Sequence, residues 1–582
     1  MRPQNIFAGL NAEQRRAAET THGPVCILAG AGSGKTTTIT RRIANQVLSG
    51  AFRPTEILAL TFARKAAEEM KLRLAQLGAT GVPARTFHSA AHAQLAYFDG
   101  SQRVLESKIA ILLEIRHRLP KEYRTRSVSD FATEIEWAKN RRLTPDTYLA
   151  EVNGRTPPLP TELMTDVFRE YERRKGAVEK IDHEDQLERT IRLFEEQPAA
   201  LAEFRHRYRA FTVDEYQDVN LLQQTLLDLW LGDRTDLCVV GDDYQSIYGF
   251  TGAGPEYLLA VPGRFADATV IRLEENYRST PEVLGLANRL VPRLGGARKV
   301  LLASSPAGQR PVLREVPNAA AEVSLVASTV MELHRQGVAL RDIAVLYRAN
   351  FRSEDYEEVL EDARIAYQVR DGGLLDRRAA KVLLRRLRGA TSVSITETVR
   401  RAGVEAGYLP EPSEDLGAAE LTRQNDLARL IRLAADFDDG EKRVVDFVAH
   451  LEERFSTDSS HDAVQLLTYH SAKGLEFEAV ILPRLEEREL PYWRAIEAGT
   501  IDEERRLFYV GLTRAKKFLY LTWSRSRPRS RFLDEIDPPV EESPPSRPPR
   551  KPRPPSDRKE SRNGSHTTGE RPRLSPDSWR PF

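Results

Sequence analysis

Val25-Cys-Ile-Leu-Ala-Gly-Ala-Gly-Ser-Gly-Lys-Thr36 runs from an apolar segment into a glycine-rich turn and then a helix start. Gly30, Gly32 and Gly34 permit positive φ, so successive backbone N–H groups can converge on phosphate oxygens. The helix that follows adds the partial positive charge of its N-terminus. Lys35 brings a point charge for the β- and γ-phosphates, and the Thr36 hydroxyl is a ligand for Mg²⁺. The strict form of such a loop begins on Gly, where this chain has Ala29; Ala31 and Ser33 fill the other loop positions. Strand, phosphate loop and helix in this order open an α/β fold.

Seven more short runs read as buried strands of parallel sheets: Ile57–Leu60, Phe211–Val213, Leu237–Val240, Ile343–Tyr347, Val464–Leu467, Ala479–Leu482 and Phe518–Leu521. The third segment of interest, Phe211-Thr-Val-Asp-Glu-Tyr-Gln-Asp218, puts Asp214 at the carboxyl end of a strand, where it can hold Mg²⁺. Glu215 is then placed to orient or deprotonate an attacking water. Two stretches break the strand rhythm and read as wholly helical. One, about 89–207, contains Lys108–Arg118 and Ser129–Asn140; the other, about 379–461, contains Lys381–Arg388 and Asp426–Phe437. The expected architecture is α/β, with two parallel-sheet cores each interrupted by a helical insertion. From Asp537 to Phe582 the chain is dense in Pro, Ser, Arg and Lys, and a disordered tail is expected there.

At 582 residues the chain has room for about four domains of roughly 150 residues. Lys plus Arg number 86 against 85 for Asp plus Glu, a net charge of +1, which excludes a uniformly basic nucleic-acid coat. Any polyanion site must be a local cleft. Cys26 and Cys238 are the two cysteines, too few for a disulfide framework, a four-cysteine cluster or a Cys-rich zinc module. Both lie in apolar runs and read as buried thiols. No apolar stretch approaches the roughly 18 residues of a membrane span, and Met1-Arg-Pro-Gln-Asn lacks a signal-peptide pattern. A cytoplasmic location is expected, with no membrane partner.

Around the two anchors, further segments resemble the UvrD/Rep family of superfamily 1 DNA helicases. Leu10-Asn-Ala-Glu-Gln-Arg15 is similar to the family's adenine-reading segment, and Thr61-Phe-Ala-Arg-Lys-Ala-Ala67 and Thr86-Phe-His-Ser89 to its first single-strand contacts. Val240-Gly-Asp-Asp-Tyr-Gln-Ser-Ile-Tyr-Gly-Phe250 resembles the segment that couples nucleotide to DNA. Glu275-Asn-Tyr-Arg-Ser279, Val464–Phe477 and Glu504–Arg514 resemble the second core's nucleotide- and DNA-facing motifs. The order runs from residue 10 to about 525. What the resemblance implies is a pair of RecA-like motor domains, residues 1–88 with 208–277 and 278–378 with 462–536. It also implies insertions at 89–207 and, unusually short, at 379–461, with the tail at 537–582.

The family's roles then fall on particular residues. Gln14 would contact adenine, Tyr277 stack on it and Glu476 hold the ribose. Gln245 would sense the γ-phosphate and the attacking water. Arg278 and Arg514 would reach across from the second core as arginine fingers, which are worth ~10³–10⁵ in rate. Phe62, Tyr248 and Phe250 would stack or wedge bases, and Thr61, Thr86, His88, Thr468 and His470 would contact the backbone of single-stranded DNA and of single/double-strand junctions. The implied activity is ATP-dependent 3′→5′ unwinding with ATP and Mg²⁺. The short second insertion favours a different reading, a DNA-gated ATPase switch inside a larger complex. Departures from the family's pattern are Thr37 for Arg, Ala63-Arg64 for Thr-Asn, Thr251 for Arg, and His183-Glu184 where Phe-Asp is commoner. The tail is read as a solvated linker; the functional alternative is a basic arm or a polyproline docking site for a protein partner, ending in Trp579-Arg-Pro-Phe582.

Overall fold

The computed structural model describes residues 6–537 except 125, 153, 371–373, 389–393, 412–417 and 456–461. The expected tail, from residue 538 on, lies outside the described residues.

Two six-stranded sheets carry the fold, and every ladder in them is parallel. The first is built from β1 (Val25–Ala29), β2 (Ile57–Thr61), β3 (Ala84–Thr86), β4 (Ala210–Val213), β5 (Leu237–Gly241) and β6 (Thr269–Leu273), in the order β3-β2-β4-β5-β1-β6. A two-stranded pair, β7 (Glu275–Asn276) and β8 (Leu302–Ala303), follows. The second sheet holds β9 (Val312–Val316), β10 (Ile343–Tyr347), β11 (Tyr367–Val369), β12 (Val464–Thr468), β13 (Phe477–Leu482) and β14 (Ala515–Ser524), in the order β11-β12-β10-β13-β14-β9. All eight runs read as strands from sequence are strands.

The four strands of these sheets that the sequence reading missed, β3, β6, β9 and β11, are the four edges. Buried on both faces, β1, β5 and β10 are apolar throughout and β2 is so up to its last residue, Thr61, whereas the edge strands carry exposed Arg85, Arg272, Arg314, Glu315 and Gln368. An edge strand exposes one flank and so does not read as a continuous apolar run.

Between β3 and β4 the described chain is helical, from Phe87–Phe98 to Pro198–Arg207, with a core around Phe131, Ile135, Phe168 and Tyr171. Lys139 and Lys175 pin three of these helices together. Each contacts Glu172, Asp182 and Asp185 at 2.5–3.0 Å. Those three carboxylates are close enough to share a metal ion, but each is already paired with the two ammonium groups. Between β11 and β12 stand the helices Arg378–Leu387, Ile395–Glu405, Ala418–Phe437 and Val444–Arg454. Their core gathers Leu383, Val399, Leu427, Leu430 and Phe447, each worth about 1.5–3 kcal/mol on full burial.

The topology places the chemistry. β4, β5 and β1 are neighbours, so the segments that leave their carboxyl ends open on one crevice. Ala31, Tyr244 and Ile247, just beyond β1 and β5, are buried in the same core as Leu467, Phe508 and Tyr509 from the second sheet and its helix Ile501–Leu512. Tyr244 and Tyr509 meet edge-to-face at 5.6 Å. Cys26 and Cys238 are buried in β1 and β5, and burial pushes the Cys26 thiol up to about 12, which leaves it unreactive.

Candidate active site and single-strand groove

The phosphate loop is braced from outside. Gly32 and Gly34 take left-handed φ of +65° and +76°, and Gly34 caps the helix Lys35–Leu48. Ser33 Oγ donates to Gly30 O (2.8 Å), Asn276 Nδ2 to Ala31 O (2.7 Å), Tyr277 N to Gly32 O (3.0 Å), Gln14 Nε2 to Ser33 O (2.9 Å) and Thr38 N to Gly34 O (2.9 Å). With its carbonyls so engaged, the loop offers an anion its donors. Gly30 corrects the sequence reading, because its φ is not positive. A Cβ there would lie 2.3 Å from Leu301 Cδ2, so the tip of that side chain would have to move aside. Ala29 is tolerated because it is still in β1, paired with Leu273. Gln14 is also a capping partner of Asn11, whose N donates to Gln14 Oε1 at 3.1 Å.

A Cβ on Gly32 would lie 2.6 Å from Asn276 Nδ2 and 2.8 Å from Arg278 Cβ. With the left-handed φ added, Gly32→Ala is expected to weaken nucleotide affinity by about tenfold or more and to lower the melting temperature, through about 1–3 kcal/mol of strain. Titration with a fluorescent nucleotide measures this.

The acidic pair sits at the end of β4. Glu215 has φ +51°, a strained value for a non-glycine residue, and its carboxylate turns toward the loop, where Lys35 Nζ lies 3.4 Å from Glu215 Oε2. Gln217 Nε2 donates to the same oxygen at 2.6 Å. Burial, and then Glu215, push the Asp214 carboxyl up. Burial acts the same way on Glu215, but Lys35 and Lys473 outweigh it and hold Glu215 low. Thr36 lines the cleft beside Lys35. Two carboxyls on adjacent residues, one disfavoured as an anion, together with a hydroxyl at a helix start, form a donor set that fits Mg²⁺.

Across a cleft of about 510 Å³ stand residues of the second half. Arg278 Nε donates to Glu476 Oε2 (2.8 Å) and its Nη1 to Thr513 O (3.1 Å); Lys516 also reaches Glu476, at 3.1 Å. Arg514 is buried. Its Nε bonds Val510 O, its Nη1 bonds Leu475 O, and its Nη2 donates to Gln245 Oε1 at 2.9 Å. Burial, reinforced by Arg278, lowers Arg514 to about 9, so it stays charged at neutral pH. Gln245 in turn donates from Nε2 to Asp242 Oδ2 at 2.6 Å. Tyr277 is half exposed; its hydroxyl donates to Glu275 (2.7 Å) and accepts from Asn11 (2.9 Å), leaving a ring face open. Lys35, Arg73, Arg278, Arg514 and Lys516 outnumber Glu215 and Glu476 on the walls, a charge balance suited to a polyanion.

The residues expected to hold a strand fall into two clusters. Phe62, Thr86 and His88 line a groove of about 890 Å³ between the first sheet and the helices that follow β3. Tyr248, Phe250 and His470 form a second cluster, with ring pairs at 6.1 and 5.9 Å and Lys473 Nζ 4.8 Å over Tyr248. Thr61 belongs to neither surface as it stands: it is buried and its hydroxyl donates to Ala63 O at 3.1 Å. Thr468 is also buried, bonded to Ser471 at 3.0 Å. Burial, with His183 and Lys108, lowers His88 to about 4; burial, with Arg348 and Lys473, lowers His470 to about 3. Both are neutral at physiological pH and act as hydrogen-bonding groups rather than cations.

Sequence reasoning passed over Asn276, which braces the loop from β7, and Lys473, which pairs with Asp218 and donates to Gln245 O at 2.7 Å. Lys71 and Arg85 on the groove wall went unmarked too, and Arg64 there was marked only as a departure from the family's pattern. Asn276 and Lys473 lay inside quoted motifs, but their partners are more than 200 residues away and leave no local signal.

Residues 10–266 match the UvrD/REP helicase N-terminal domain, and residues 271–401 and 390–526 match the UvrD-like helicase C-terminal domain. The chain is 40% identical to the ATP-dependent DNA helicase UvrD2 of Mycobacterium tuberculosis over 578 residues, covering 92% of this chain and 82% of that protein. It is 30% identical to the ATP-dependent DNA helicase PcrA of Bacillus subtilis over 644 residues, covering 91% and 86%. A similar match joins it to PcrA of Staphylococcus aureus, at 29% over 635 residues.

Proposed function

The chain belongs to the UvrD/REP family of ATP-dependent DNA helicases, and from that premise we propose that it is a 3′→5′ single-strand DNA translocase and helicase. It acts with the nucleoid, in repair, recombination or replication restart. Its motor halves are 1–88 with 208–277 and 278–378 with 462–536, and 89–207 and 379–461 are its insertions.

The observation that carries this reading is the Gln245–Arg514 hydrogen bond. A residue just past β5 of one sheet meets a residue just before β14 of the other, inside a cationic cleft. Three residues beyond Gln245, Tyr248 opens the aromatic cluster. Nucleotide state and strand grip therefore share one short segment.

In the free protein Lys35 holds Glu215 as a low-pKa carboxylate. A triphosphate in the loop draws Lys35 to the β- and γ-phosphates, and Glu215, relieved of that charge, becomes a stronger base. It takes a proton from the attacking water while the water oxygen bonds to the γ-phosphorus and ADP leaves. Thr36 and Asp214 would hold Mg²⁺, which neutralises phosphate charge when bound. Gln245 orients the water and the γ-phosphate, and Arg278 exchanges Glu476 for phosphate oxygens beside Arg514. Tyr277 stacks on adenine and Glu476 holds the ribose; Gln14 keeps one N–H and one lone pair for the base beyond its two bonds to the chain.

Closure of the two halves over ATP moves His470, on the second half, against Tyr248, Phe250 and the groove holding Phe62, Thr86 and His88, all on the first. Stacking is worth ~1–3 kcal/mol per base, against about 1.4 kcal/mol for separating a base-pair step, so bases passed between aromatic pockets can compete with the duplex. Thr61 and Thr468 need a local rearrangement to reach the strand.

Arg64, Lys71 and Arg85 line the groove wall and track phosphates. Arg64→Ala is expected to reduce the slope of log affinity against log salt on single-stranded DNA by roughly 0.7, the release of about one counterion. An unchanged slope removes Arg64 from the strand path. The activity itself is tested by strand displacement with ATP on 3′-tailed and 5′-tailed duplexes. Displacement of the 3′-tailed substrate alone is expected; DNA-stimulated hydrolysis with no displacement of either would overturn the helicase reading.

A further inference from the structure

The connection between the helix Pro281–Leu294 and β8 buries one lysine. Gly295 and Gly296 take φ of +69° and +71°, and a Cβ on Gly296 would collide with Asp243, so the chain lies directly over the end of β5. Ala297 N donates to Asp243 Oδ2 (2.8 Å) and Lys299 N to Tyr244 Oη (3.2 Å). The Lys299 ammonium then lies 3.1 Å from Asp242 Oδ1, pairs with Asp243 Oδ1, and sits 4.1 Å from the centre of the Tyr244 ring. Side-chain exposure is 1% for Lys299, 0% for Asp242 and 2% for Asp243. Burial disfavours the ammonium, yet the two carboxylates hold Lys299 above the ordinary lysine range.

Asp242 has a second duty. Its Oδ2 accepts from Gln245 Nε2, while Gln245 Oε1 accepts from Arg514. A carboxylate on one side and a guanidinium on the other admit one orientation of the carboxamide. Asp242 is itself fixed from three directions: Lys299 on Oδ1, the Tyr244 N–H on Oδ1 at 3.2 Å, and its own N–H on Gln217 Oε1 at 2.9 Å. Of these only Lys299 is charged, and only Lys299 comes from outside the crevice segments that follow β4 and β5.

We propose that Lys299 is a positioning residue for ATP hydrolysis: by pinning Asp242 from the connecting segment, it holds the Gln245 carboxamide toward the γ-phosphate and Arg514. This rests on the role given to Gln245 above. The consequence is that Lys299 acts on turnover and not on nucleotide affinity, and acts only through Gln245.

Lys299→Met alone leaves two buried carboxylates against each other and is expected to fold poorly. Lys299→Met/Asp243→Asn removes one charge of each sign and is the informative protein. In the full-length chain, with saturating oligo-dT, it is expected to fold, melting below the parent but above Lys299→Met, and to keep KM for ATP within about twofold, with kcat lower by about tenfold. The decisive readout is the cycle with Gln245→Ala. That change lowers kcat strongly in the parent and in Asp243→Asn, where Lys299 still holds Asp242, but by no more than about twofold in Lys299→Met/Asp243→Asn. Equal fold-losses from Gln245→Ala in all three backgrounds would overturn the proposal, as would an unchanged kcat in a folded Lys299→Met/Asp243→Asn protein. A parent indifferent to Gln245→Ala would overturn the role of Gln245 itself, and this inference with it.

Discussion

Glu215→Gln is expected to lower DNA-stimulated ATP turnover by about 10³-fold, the scale of a lost general base, while ATP binding persists. The substitution keeps the shape of the side chain and removes its basicity. It also removes the anion that Lys35 faces at 3.4 Å in the free protein, so nucleotide affinity is expected to hold or rise slightly. The strained backbone at Glu215 is unaffected, because Gln occupies the same conformation at the same cost. Gln217 Nε2, which donates to Glu215 Oε2, finds a carboxamide oxygen in its place. The variant should therefore fold, bind ATP and trap the closed state. Steady-state hydrolysis alongside fluorescent-nucleotide titration reads both quantities, and turnover within tenfold of the parent would mean that another group takes the proton.

Arg514→Ala is expected to lower kcat by about 10³-fold or more, as loss of an arginine finger does. Unlike Glu215, Arg514 also supports the fold. Its guanidinium satisfies the Val510 and Leu475 carbonyls and Gln245 Oε1 in a buried setting. Leaving such acceptors unpaired costs about 1–3 kcal/mol each, so a lower melting temperature accompanies the lost turnover. Arg514→Lys separates the two effects. Lysine restores a positive charge but not the planar fork that bonds three acceptors at once, so it should regain more stability than activity. Single-turnover hydrolysis in a protein still folded at the assay temperature is the relevant measurement. A folded Arg514→Ala protein with a near-parental rate would remove Arg514 from the reaction.

The parts of the molecule legible in sequence are those whose causes are local. The central strands announce themselves because a strand buried on both faces must be apolar along its length, as β1 and β10 are. The phosphate loop is legible because left-handed backbone at Gly32 and Gly34 requires glycine. Edge strands are not, because β9 exposes Arg314 and Glu315 to solvent and so resembles a loop. The braces of the site are illegible for another reason. Asn276 on Ala31 O, Lys473 on Asp218 and Lys299 on Asp242 each join residues far apart in the chain, and no local pattern marks a polar side chain whose partner arrives only on folding. Gly30 shows the same limit from the other side: its φ is not positive, and the atom a Cβ would meet, Leu301 Cδ2, arrives only on folding.

The central claim is that hydrolysis in the cleft between the two sheets drives movement along a single strand. Stopped-flow translocation on oligo-dT of increasing length, with a fluorophore at either the 5′ or the 3′ end, tests it most directly. ATP-dependent arrival at the 5′ end is expected, with a lag that grows with length, and no arrival signal from Glu215→Gln. A lag independent of length, or one that grows only for the 3′ label, would contradict it.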